Sequence, residues 1–95
     1  MKRAVKDDPR FMPDRLARAI AAAARSAIED AERLGTDTTA AKRRYTIGSI
    51  AKRCGCTRET LSAYVHGHRT PDATIAARLA RELSVSADYL LGLTN

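Results

Sequence analysis

Between Thr46 and Gly92 the chain opens four short segments with a residue that can cap a helix: Thr46, Thr57, Asp72 and Ser86. The first N–H groups of a helix have no partner inside it, so a side-chain oxygen just ahead of them marks a helix start. Starts eleven to fifteen residues apart leave room only for helices of two or three turns. Helices that short are marginal alone and must be held by packing on one another. The pattern predicts one helix from Thr46 to about Arg53 and a second from Thr57 to about His66. A third follows Asp72, with Ile75, Leu79, Ala80 and Leu83 facing inward. A fourth runs from Ser86 through Leu91 and is ended by Gly92.

Composition agrees with helices. The 95 residues include one Phe, three Tyr and no Trp, so the core must come from Ala, Leu and Ile. Abundant alanine and leucine favour closely packed helices over a sheet. Ahead of the four short helices, Leu16, Ile20, Ala24, Ala27, Ile28, Ala31 and Leu34 recur at helical spacing. Pro13 and Asp14 suit the first turn, Asp14–Arg18, Arg25–Glu29 and Glu29–Arg33 are opposite charges four apart, and Gly35 is a natural stop. A helix of about twenty residues is predicted there. Residues 35–44 read as a polar, then basic, loop. Residues 1–12 are charged and lack periodicity, so they read as a flexible basic arm before a domain at 13–95. The expected class is therefore all-α, a compact five-helix domain with an extended first helix.

The net charge of +6 is unevenly placed. Residues 35–71 hold seven basic and two acidic side chains, whereas residues 72–95 hold two basic and three acidic. A local basic region is the footprint expected for a polyphosphate partner. The longest apolar run, Ala19 to Ala24, is too short to cross a bilayer, and no apolar stretch follows the basic N-terminus as a secretory signal requires. Cys54 and Cys56 flank a single glycine, too tight for an easy disulfide. These features predict a cytoplasmic, nucleoid-associated protein with no membrane partner.

The most informative stretch is TIGSIAKRCGCTRETLSAYVHG, residues 46–67. Ala51 is small enough for close helix approach, and Gly55 supplies the left-handed backbone of a tight turn. Ile50, Leu61 and Tyr64 are apolar anchors at intervals that describe a helix-turn-helix over about 46–66. The pattern resembles the Cro and lambda-repressor type of helix-turn-helix family, from about Tyr45 to Leu93. GHRTP and LARELSVSADYLLG match the family's exit turn and its last two helices. Ile47 stands where the family often has a polar residue and Val65 where a glutamate is common; the long first helix and the 35–44 insertion are further departures.

The resemblance implies a homodimeric transcriptional regulator, a repressor of phage or mobile-element type, that reads an inverted repeat in double-stranded DNA. A recognition helix presents its first turns to base edges in the major groove. Here those side chains are Thr57, Arg58, Glu59, Ser62 and Ala63. Arg58 can donate two hydrogen bonds to guanine, Glu59 can accept from cytosine, and Ala63 can touch a thymine methyl group. Expected phosphate contacts are Arg43, Arg44, Thr46, Thr60, His66, His68 and Arg69, with Lys42 extending the basic loop. The expected dimer surface is Tyr89, Leu90 and Leu93, with the first helix as a second candidate.

The same residues bear on three other readings. Cys54, Cys56, His66 and His68 offer four zinc ligands, yet one residue between the cysteines is fewer than zinc sites use. No paired carboxylates, nucleophile with a base, or glycine-rich phosphate loop is present, so neither an enzyme nor any cofactor, metal or small-molecule ligand is expected. The rival is a protein-interaction module, an antitoxin or anti-repressor, docking through the alanine-rich first helix.

Overall fold

A computed structural model describes residues 11–93 and, among them, contains helices and no strands. The helices are α1 (Pro13–Arg33), α2 (Thr39–Arg44), α3 (Ile47–Cys54), α4 (Arg58–Val65), α5 (Ala73–Leu83) and α6 (Ala87–Leu90). All four expected caps are in place. The hydroxyl or carboxylate oxygens of Thr46, Thr57, Asp72 and Ser86 accept from the N–H groups of Ser49, Thr60, Ile75 and Tyr89.

The core sits among α3, α4 and α5, with the first half of α1 packed on α4 and α5 and α6 packed on α1 and α5. Leu16, Ile50, Leu61, Leu79 and Leu90 are fully buried, joined by Ala19, Ala51, Cys54, Tyr64, Ala76, Ala80 and Leu83. Burying one such leucine contributes roughly 1.5–3 kcal/mol relative to leaving it in water. Ala51, on α3, is 1% exposed. Gly55 then turns the chain with φ +79°, and its N–H and that of Cys56 close on carbonyls of α3.

Three expectations require correction. Residues 39–44 are helical, not loop. The Asp37 carboxylate accepts from the Thr39 N–H at 3.0 Å, and Ala40, Ala41 and three cations at the C-terminal end favour a helical turn. Of the arm, Phe11 belongs to the core and the Met12 N–H donates to the Leu90 carbonyl at 3.0 Å; residues 1–10 lie outside the described residues. The apolar stripe of α1 is core only in its first half. Leu34 is 75% exposed because the helix overshoots the bundle, and α2 lies along that overhang. Gly35 does end α1, with φ +72°.

Candidate nucleic-acid interface

A tight turn over residues 55–57 joins α3 to α4. Leu61 and Tyr64 pin its inner face, at 0% and 5% exposure. On the outer face Arg58 and Glu59 are exposed, and Ser62 and Ala63 are half-buried but open to solvent. Arg58, Glu59, Ser62 and Ala63 line a shallow open concavity together with His68. Of the five expected base contacts, four are thus grouped on one surface. The fifth, Thr57, caps α4, and its hydroxyl hydrogen points to Thr60 Oγ1 at 2.8 Å. Gly48, at the start of α3, faces the stem of Arg58: a Cβ there would stand 3.9 Å from Arg58 Cδ. The first turns of α3 and α4 therefore adjoin.

The expected phosphate contacts separate into three groups. Arg43 and Thr46 lie at the entrance to α3, where the Thr46 hydroxyl interacts with the Arg43 carbonyl and the Ser49 hydroxyl. Arg43 is exposed. Arg44 is drawn the other way, with its Nη2 3.5 Å from Glu82 Oε2. Beyond the end of α4, His66, His68 and Arg69 are exposed on one turn. His66 Nδ1 donates to the Ser62 carbonyl at 2.8 Å, which places the ring proton on that nitrogen. The His66 and His68 rings stack at a centroid separation of 6.2 Å.

Long-range pairing adds residues that local spacing did not reveal. Glu82 of α5 holds Arg53 of α3 as well as Arg44. Arg53 also donates to the Arg44 carbonyl at 2.6 Å, and both guanidinium groups flank the Tyr45 ring. Arg78 Nη1 donates to the Cys54 carbonyl at 3.3 Å, closing the end of α3. The acidic residue on this side is thus spent on cations behind the α3 entrance.

The expected dimer surface needs correction at Leu90, which is fully buried. Helix α6 docks on the start of α1, so Leu90 points into the core. Arg15 covers part of Tyr89, its Nη1 donating to the Tyr89 carbonyl at 2.8 Å and its guanidinium 4.7 Å from the ring centre. Leu93 remains 49% exposed, as does Met12 at 43% on the segment bonded to Leu90.

The zinc candidates do not converge. Cys54 is buried in the core, and burial pushes its thiol above the ordinary value, as it does for Cys56. Both remain protonated at neutral pH. Among the described residues no three His, Cys, Asp or Glu side chains come together as metal ligands, and no helix is long and apolar enough to cross a membrane.

Residues 40–90, over half of the chain, match a family model described as helix-turn-helix. No curated protein and no solved structure matches the chain.

Proposed function

The chain belongs to the Cro and lambda-repressor type of helix-turn-helix family, a family of DNA-binding transcription regulators rather than of enzymes, and from that premise we propose that it is a sequence-specific repressor reading duplex DNA with α4. One observation carries the reading. Arg58, Glu59, Ser62 and Ala63 share an open face while Leu61 and Tyr64 hold the helix from behind. That face carries a guanidinium that matches guanine, a carboxylate that matches cytosine and a methyl that matches thymine. Arg43, Thr46, Thr60 and Arg69 flank it as phosphate contacts, which set register without reading sequence.

One such helix reads only a few base pairs, so two copies act together on an inverted repeat. Leu93 and Met12, the exposed apolar residues beside α6, form the pairing surface. Leu93→Glu then leaves a monomer in sedimentation and weakens binding to the full repeat. A dimer unaffected by that change places the contact elsewhere.

Selection of binders from random duplex DNA at physiological salt tests the function. An enriched inverted repeat is the expected result; recovery of no preferred sequence overturns it. The second reading, a protein-docking role, draws on the uncovered end of α1 at Leu34. It predicts sequence-blind DNA binding together with a tight protein complex lost in Leu34→Glu.

A further inference from the structure

We infer that His68 is a base-reading residue, which donates from its imidazole to an acceptor on a purine edge in the major groove and so sets preference at one base pair. The inference rests on the reading of α4 as the recognition helix and goes beyond it. His68 lies outside that helix and in the turn where phosphate contacts are expected.

Position is the first argument. His68 shares the open concavity with Arg58, Glu59, Ser62 and Ala63, so its ring borders the space that a base edge would fill. Ala63 has only a methyl group and so leaves room in the concavity that it lines with His68. A residue that touched phosphate alone would not need to line it.

Preorganisation is the second. The chain leaves α4 through Gly67 at φ +77°, which turns the backbone back over the helix end. The N–H groups of His68 and Arg69 both donate to the Ala63 carbonyl, at 2.8 and 3.3 Å. The His68 ring stacks on His66, interplanar angle 17°, and His66 is itself tied to the Ser62 carbonyl. Backbone and ring are therefore both held before DNA arrives. Holding a side chain in advance lowers the entropy lost on binding and sharpens discrimination.

Chemistry names the ligand. Imidazole offers one N–H donor in its neutral form and two when protonated. The major-groove acceptors are N7 of either purine, O6 of guanine and O4 of thymine. Adenine offers N7 and guanine offers N7 and O6, whereas thymine offers O4 alone and cytosine none, so a purine is the class assigned to His68.

Full-length wild-type, His68→Ala, His68→Lys and Arg58→Ala proteins are each taken through the same random-duplex selection, and affinities are measured on the winning site and its single-base variants. His68→Ala is expected to lower preference at one base pair by roughly fivefold to tenfold, the size of one hydrogen bond, and to leave other positions unchanged. His68→Lys, which puts a cation in place of the imidazole, should not recover that preference. Uniform loss in His68→Ala, recovered by His68→Lys, makes His68 a phosphate contact and overturns the inference. An unchanged profile in His68→Ala also overturns it. In both cases Arg58→Ala still relaxes its own position, whereas failure of the wild type to select any site overturns the reading of α4 itself.

Discussion

Pro13, the first residue of α1, lies against Gly67 in the turn that closes α4: a Cβ at Gly67 would stand 3.3 Å from Pro13 Cγ. The start of the longest helix thus borders the exit of α4. Gly67 also has φ +77°, a conformation costing an L-residue about 1–2 kcal/mol. Gly67→Ala is expected to lower the unfolding free energy by at least that amount, measured by urea titration. A loss below about 0.5 kcal/mol, within ordinary surface scatter, contradicts the contact.

Arg58→Ala removes the long side chain best placed for a guanine edge. Affinity for the selected site should fall by about 1–3 kcal/mol, with preference relaxed at a single position. Equal losses on all sequences would reassign Arg58 to phosphate.

Glu82 binds two guanidinium groups and adds negative charge near the entrance to α3. Glu82→Gln should free Arg44 toward phosphate, raise affinity on every sequence and steepen the salt dependence by about one counterion. The same change should cost about 1 kcal/mol of stability, because half-buried Arg53 loses its partner. An unchanged salt slope means that Arg44 stays outside the interface.

Asp37 links pH to α2. The hydrogen bonds from Thr39, backbone first, hold its carboxyl below the usual range. A carboxyl depressed in the folded state adds stability above its unfolded pKa, about 3.9, and loses it as pH falls through the lower folded value. Wild type should therefore exceed Asp37→Ala in stability at pH 7, and the gap should close below about pH 4. A gap that persists in acid shows that the carboxylate charge does not hold the helix.

Local chemistry made most of this fold legible. Thr46, Thr57, Asp72 and Ser86 each act within three residues of their own position, so the helix starts could be read directly. Leu61, Tyr64 and the outward set on α4 follow from one helical period. Helix α2 was not legible because six residues with no buried side chain leave no apolar rhythm. Leu34 keeps the rhythm of α1 yet is exposed, since periodicity gives a face but not the length of the surface that covers it. The inward side of Leu90 is not legible, because a four-residue helix does not reveal which side docks. The pairs of Glu82 with Arg44 and Arg53 join distant parts of the chain and exist only once α2, α3 and α5 meet.

On α4 the side chains that face solvent and those that hold the helix are different sets. In the proposed reading, replacing Arg58, Glu59, Ser62 or Ala63 exchanges the address without touching Leu61 or Tyr64. Under that reading the scaffold can be redirected to a new operator by a few outward substitutions that leave Leu61 and Tyr64 in place.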